Sequence, residues 1–426
     1  MQRITYDRLD QTVFADTLSN GLRVFVVPKP GFAKKYAFFA TNYGSLDTSF
    51  TFNGMHIQSA DGVAHYLEHK MFDTVDGHAL QDMSATGASP NAFTSYQMTA
   101  YHFECTDSFE DNLRLLLSFV SVPYFTEETV EKERGIIAQE IRMYEDNPGS
   151  RLGENLYRAM YKNHPLKVNI AGTVESIGQI TPEMLYDCHH AFYDPANMVL
   201  CVAADIEPER VAEIAREVLP DGSGQTPERD YGPIEPEIPA RQRICQNMEV
   251  SMPMFALAFK CPELPEGQER LRQELLGDLS AELLCGDSSP LYQKLYEQGL
   301  IDAGFGAGYE CIRGMPNLSF AGDSDEPDAV VEEIINEARR IAAEGVDTAL
   351  FERIRRASLG QRIRGLDSFD GICYRLSSGY FDGCDYLRFP EVYAQITPDD
   401  VRNFIEEHAV REKSVLSLIC PLKQEA

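Results

Sequence analysis

The sequence contains no tryptophan and, in 426 residues, only nine histidines. It is poor in positive charge: 38 Lys and Arg stand against 67 Asp and Glu, a formal net charge of −29. That deficit excludes a phosphate-neutralising surface, so no nucleic-acid partner is expected. Docking on anionic lipid is disfavoured for the same reason. No run of eighteen apolar residues occurs, which leaves no candidate membrane-spanning helix. The first residues, MQRITYDRLDQTVF, have no apolar core, so no secretory leader is expected and a cytoplasmic location is. None of the ten cysteines forms a CxxC pair. Most of them, such as Cys201 in MVLCVAAD and Cys420 in VLSLICP, fall in apolar strand-like runs. Free, buried thiols fit this better than a disulfide framework or a thiolate metal site.

What is present describes a folded chain. Apolar residues make up 43% and charged residues 25%, which is enough to bury a core. The stretch PDGSGQTPERDYGPIEPEIPA (220–240) is rich in Pro, Gly and acid and reads as a connector. It divides the chain into 1–222, a linker at 223–240, and 241–426. In the first half, strand-like runs at 23–28, 36–43, 91–105 and 197–204 alternate with helical patterns at 61–73, 108–120, 126–146, 150–161, 182–192 and 208–218. In the second, runs at 243–250, 253–261, 305–311, 316–321 and 413–420 alternate with helices at 268–285, 327–344, 348–364 and 398–409. The recurring order suggests an α+β fold, duplicated in tandem.

The chemistry concentrates in DGVAHYLEHKMFD, residues 61–73. His65 and His69 are four apart, on one face of the expected helix, and two neutral imidazoles so placed reach one metal ion. Glu68 borders the same face, where a carboxylate can take a proton from a water at the metal. This is HxxEH, the inverted form of the HExxH zinc motif. A catalytic zinc needs a third protein ligand and an open position. The helix at 126–146 offers candidates. Thr126 suits its N-cap, and Glu127 and Glu128 suit the positive end of its dipole. Val130, Ile137, Ile141 and Tyr144 form its apolar stripe, and Glu133 and Glu140 fall inside that stripe. Two buried carboxylates need a compensating charge, either a metal or buried Arg or Lys partners.

HxxEH followed some seventy residues later by EKERGIIAQE (131–140) resembles the pitrilysin/insulinase family of zinc metallopeptidases. The stretches GASPNAFTSYQMTAYHFE and HPLKVNIAGTVESI extend the resemblance over nearly the whole chain, toward a bacterial branch. It implies tandem duplicated α/β domains of the mitochondrial-processing-peptidase, LuxS-like metallohydrolase type. It implies Zn2+ held by His65, His69 and Glu140, with Glu68 as general base and Glu133 as a supporting carboxylate of the catalytic group. Asn91, Ala92 and Phe93 would lie on an edge strand that pairs with the backbone of a peptide substrate. The expected activity is endopeptidase cleavage of short or unfolded peptides.

One departure bears on partners. Self-sufficient members carry an Arg and a Tyr in a segment resembling SRLFxxLRExxGLAY. Here SPLYQKLYEQGLID (289–302) has Tyr296 and, allowing one deletion, Asp302 at those positions, and an Asp cannot donate to an oxyanion. The second half also lacks HxxEH, its comparable helix reading DLSAELLCG. A homologous partner subunit, in a heterodimer or a homodimer, is therefore expected to complete the site. The alternative is a zinc-binding structural or maturation subunit with little activity of its own. His189-His190 reads as a partly exposed helix end. Gly304, Gly306 and Gly308 read as a strand with close backbone contacts, and Arg353, Arg355 and Arg356 as a solvated helix face.

Overall fold

The run MVLCVAA is buried along its whole length because it lies at the centre of a sheet, covered on both faces. The computed structural model describes residues 1–75 and 77–422. The first sheet has seven strands: β1 (Gln2–Tyr6), β2 (Gln11–Thr17), β3 (Arg23–Pro28), β4 (Lys35–Thr41), β5 (Ser89–Thr94), β6 (Thr99–Cys105) and β7 (Met198–Ala204). Their order is β1-β2-β3-β7-β4-β6-β5, so β5 is an edge. The second has five: β8 (Arg243–Met248), β9 (Met254–Lys260), β10 (Gly306–Ile312), β11 (Met315–Asp323) and β12 (Ser414–Pro421), in the order β8-β12-β9-β11-β10.

The two orders superimpose. β3 pairs parallel with β7, and β8 pairs parallel with β12; every remaining pair of the shared five strands is antiparallel. Each half threads its strands in the same sequence, with a helix between its second and third. That helix is α1 (Val63–Met71) in the first half and α4 (Gln268–Cys285) in the second. The duplicated α+β fold expected from the sequence is present, with β1 and β2 added to one edge.

Each sheet borrows a helix from the other half. α2 (Glu127–Asp146) ends at Asn147, whose side chain accepts from Ser150 N and caps α3 (Pro148–Met160). Pro148 takes the first turn of α3, where no amide hydrogen is needed. α3 crosses to the second sheet, where Leu152, Leu156 and Ala159 pack on Ala256, Val415 and Ile419. In return α5 (Phe369–Phe381) packs Ile372, Cys373 and Leu376 against Phe38 and Cys201 of the first sheet. Each buried Leu or Ile of these seams contributes about 1.5–3 kcal/mol. The connector is tied to both halves. Glu228–Arg229 pairs with Ser49–Phe52, and Glu235 accepts from the amides of 162–164 and from Lys260.

The elements depart from those expected in several places. The run 91–105 is two strands, broken by a turn in which Ser95 Oγ accepts from Gln97 N and Met98 N. β1, β2 and the helices Pro290–Glu297 and α5 were not expected. α5 reads FDGICYRLSSGYF, poor in helix formers; packing on the first sheet decides its conformation. Six of the ten cysteines are buried, as expected of most of them, whereas Cys245 is exposed and Cys311, Cys384 and Cys420 are half-buried.

Candidate metal centre

Helix α1 starts where only glycine fits. Gly62 has φ 89°, and a Cβ on it would lie 2.3 Å from the Ala171 carbonyl oxygen. Opposite, Gly172 has φ 74°, and a Cβ there would lie 2.4 Å from the Asp61 oxygen. Positive φ and absent clearance together require glycine at both positions. Ser176 Oγ donates to the same Asp61 oxygen at 2.8 Å. From this fixed start Val63, Ala64, Tyr66, Leu67 and Met71 turn into the core. The Tyr66 hydroxyl donates to the Val130 carbonyl and ties α1 to α2. Lys70, fully buried, pairs with Asp73.

His65, Glu68 and His69 occupy the rest of the helix surface. α2 meets them with its N-terminus capped as expected: Thr129 N donates to Thr126 Oγ1 at 3.2 Å. Val130, Ile137 and Ile141 are buried, and Glu133 and Glu140 lie half-buried beside them. Tyr144, expected in the apolar stripe, is 37% exposed, and its hydroxyl donates to Glu140 Oε1 at 3.1 Å. His65 Nε2 is 3.6 Å from Glu140 Oε1, and His69 Nε2 is 3.4 Å from Glu140 Oε2. One ligand atom from each of His65, His69 and Glu140 lies within 4.8 Å of the others. His69 Nδ1 donates to Glu133 Oε1 at 3.0 Å, which turns Nε2 toward the shared space. The carboxylates therefore meet histidines, not buried Arg or Lys.

The electrostatics fit a cation. Hydrogen bonds from His65 and His69 hold the Glu140 carboxyl well below the usual carboxylate range. Burial opposes a charge on His69, yet its bonds to Glu133 and Glu140 push it up to about 10. Burial raises Glu68, against the pull of both imidazoles and the hydrogen bond that Thr94 Oγ1 donates at 2.9 Å. Three carboxylates beside two imidazoles leave excess negative charge in a half-buried place, which a divalent ion compensates. Two imidazole nitrogens and one carboxylate oxygen, with room left over, are the donor set of a catalytic zinc. Among the described residues no other cluster of His, Cys, Asp or Glu of this kind occurs.

Beside His65 lies a cavity of about 390 Å3, walled by Tyr96, Tyr144 and Tyr157, with Thr94 and Glu154 on its rim. A larger one, about 750 Å3, runs between the halves under Phe93 and Tyr374. Asn91, Ala92 and Phe93 are on the edge strand β5, as expected. Phe93 faces away from α1 and packs near Phe38 and Tyr374, and the Ala92 amide donates to Asn91 Oδ1. Thr94, one residue further, is the strand's link to Glu68. The sequence reading missed Thr94, although alternation along β5 puts Ala92 and Thr94 on the α1 side.

Tyr296 and Asp302 are not brought to the metal cluster. Tyr296 stacks on Tyr292 at 6.1 Å, and Asp302 Oδ1 accepts from Gly304 N at 2.8 Å. Three minor readings change. His189 is buried, its Nε2 3.1 Å from the Val120 carbonyl, whereas His190 is exposed. Gly306 and Gly308, on the edge strand β10, have open space where a Cβ would stand, whereas a Cβ on Gly304 would lie 3.0 Å from Asp302 Oδ1, so side-chain clearance does not require glycine at the two strand positions. Arg353 and Arg356 are solvated, but Arg355 is half-buried and pairs with Glu352.

Residues 56–174 match the model of the insulinase family, peptidase family M16, and residues 179–358 match that of the M16 inactive domain. The "Uncharacterized zinc protease YmfH" of Bacillus subtilis (strain 168) is 39% identical over 98% of this chain and 99% of its own. The chain belongs to the M16 peptidase family. A second relative, the "Uncharacterized zinc protease SCO5738" of Streptomyces coelicolor, is 25% identical over 97% of this chain and 90% of its own. Among solved structures, an M16-like peptidase from Alicyclobacillus acidocaldarius superimposes with a TM-score of 0.92 at 33% identity, covering 97% of this chain and 99% of that one. Pitrilysin shares the fold at a TM-score of 0.80 and 19% identity; this chain spans 47% of it. The M16 fold is therefore that of the whole chain, and its relatives bear zinc-protease names. No helix among the described residues is long and apolar enough to cross a membrane.

Proposed function

We propose that this chain is the metal-bearing subunit of a zinc endopeptidase that hydrolyses short or unfolded peptides. The observation that carries the reading is the convergence of His65 Nε2, His69 Nε2 and Glu140 on one space within 4.8 Å. These three residues would hold the zinc, with 1–222 as the metal-bearing unit, 223–240 as its connector and 241–426 as the unit without a metal. Zinc bound there supplies a Lewis acid that polarises a carbonyl and lowers the pKa of water toward 7. Glu68 takes the proton of the attacking water and returns it to the leaving amine. Burial suits it to that exchange by raising its pKa, and Thr94 holds the carboxylate in position. Glu133 fixes the tautomer and tilt of His69. Asn91–Phe93 accept a peptide as an added strand, so selectivity rests on the main chain and on alternate side-chain pockets.

The partner reading rests on Tyr296 and Asp302. Neither is among the groups that meet His65, His69 and Glu140, so on this reading neither serves as the second donor to the developing oxyanion. A homologous partner subunit, in a heterodimer or a homodimer, would supply it. Loss of one such donor costs about 10²–10³ in turnover. The test is the hydrolysis of a quenched peptide library by this chain, by the partner and by the mixture. A mixture about a hundredfold faster than either supports the split site. Equal rates would locate the donors in this chain. The same departure favours a second reading, a zinc-binding structural or maturation subunit. Zinc-loaded chain that stays inert in every mixture would favour that one.

A further inference from the structure

We propose that Cys245 and Cys420 form a reversible disulfide that pins the edge of the second sheet. The proposal is independent of the peptidase reading. Cys245 lies on β8, an edge strand that among the described residues pairs with β12 alone, and Cys420 lies on β12. Their Sγ atoms are 3.1 Å apart, closer than two sulfurs sit by packing alone. Cys245 is exposed and Cys420 half-buried, so a soluble oxidant reaches the pair. The other cysteines of the two sheets are buried, or half-buried in the case of Cys311.

The setting gives the bond something to do. Residues of β8 alternate between exposed and half-buried, and none is fully buried, so packing holds the strand weakly. It is also the strand that follows the connector, and its Gln246 accepts from Asn155 of α3 at 2.9 Å. α3 in turn walls the cavity beside His65 through Gly149, Ser150 and Gly153. A covalent tie from β8 to β12 fixes the support of that wall and closes the second half into a loop.

The oxidant is a low-molecular-weight disulfide such as oxidised glutathione. The Cys245 thiolate attacks one of its sulfurs, forming a mixed disulfide and releasing one thiol. The Cys420 thiolate then attacks Cys245 Sγ, releasing the second. Two protein thiols are oxidised, one small disulfide is reduced to two thiols, and the two protons end on the released thiols.

The test uses the purified full chain, equilibrated with oxidised glutathione, alkylated and analysed by intact and peptide mass. The expected result is that two of the ten thiols become protected and one proteolytic peptide pair joins Cys245 to Cys420. Cys245→Ser, a substitution at an exposed position, should abolish the link, as should Cys420→Ser. Amide exchange over 243–248 should slow about tenfold on oxidation and recover on reduction. Two outcomes would overturn the proposal: both thiols remaining open to alkylation, or Cys245 stopping at the glutathione adduct. Unchanged exchange in the linked chain would overturn the pinning.

Discussion

The two halves thread five strands identically, yet they treat the helix between the second and third strands differently. In the first half α1 is only nine residues long, and both its burial and its polar residues are committed. Gly62 and Gly172 set its start, the core takes five side chains, and His65, Glu68 and His69 remain for chemistry. In the second half α4 runs for eighteen residues and is buried on several sides. Where the first half has the candidate metal cluster, α4 carries Asp278, bound to Arg362, and Glu282 beside the crevice. The same topology thus supports a reactive helix or a structural one. What separates them is the choice of a few polar side chains and what arrives to meet them: Glu133 and Glu140 of α2 at α1, and Arg362 at Asp278 of α4.

The sharpest way to break this contrast is at Glu68. Glu68→Gln should lower peptide hydrolysis about 10²–10⁴-fold with zinc content unchanged, because it removes the base and leaves the ligands. Metal analysis beside the rate decides it, and loss of zinc in this variant would make Glu68 a ligand instead. Next in size is the glycine pair. Gly62→Ala should destabilise the folded chain by about 2–4 kcal/mol, through strain at positive φ and collision with Ala171. Gly308→Ala, on the open edge of the second sheet, should change it by less than about 0.5 kcal/mol. Equal losses, read from denaturant midpoints, would remove the argument that α1 is set by its start.

Smaller still is the effect of the supporting carboxylate. Glu133→Gln should weaken zinc binding about 10- to 100-fold, measured by chelator competition, while Glu140→Gln should lose most of the metal. Equal retention in the two would erase the distinction drawn between them. The last comparison concerns acid. Burial holds His189 in the first half and His408 in the second to about 4, against about 6.5 in the unfolded chain. Above about 6.5 both states are neutral and the two histidines add no pH dependence. As pH falls from there toward about 4, the unfolded chain takes up protons that the folded one refuses, so stability is lost over that window. His189→Gln should flatten part of the slope; an identical slope in the variant would show that His189 does not contribute.

The site was legible wherever the signal is local. HxxEH needs only helical periodicity to bring His65, Glu68 and His69 together. Periodicity also put Glu133 and Glu140 on one stripe of α2, but it could not say which of them meets both imidazoles. That follows from how α2 is seated on α1, with Tyr66 tied to Val130, His69 Nδ1 to Glu133, and Glu140 beside both Nε2 atoms. Thr94 was hidden because the 91–105 run read as one strand. The turn at 95–98 is made by Ser95 side-chain bonds and not by Gly or Pro. α5 was invisible for a different reason, since its residues favour a helix only once they lie against the first sheet.

By itself, then, the sequence determined the repeated order of strands and helices, the metal-ligand spacing and the absence of a second HxxEH. Each of these is written in residues a few positions apart, whose geometry the backbone alone imposes. Tertiary structure decided which carboxylate closes the cluster, which helix each half lends the other, and that Cys245 meets Cys420 across 175 residues of chain. Those outcomes depend on packing between segments distant in sequence, where burial and shape select among partners that local periodicity leaves equivalent.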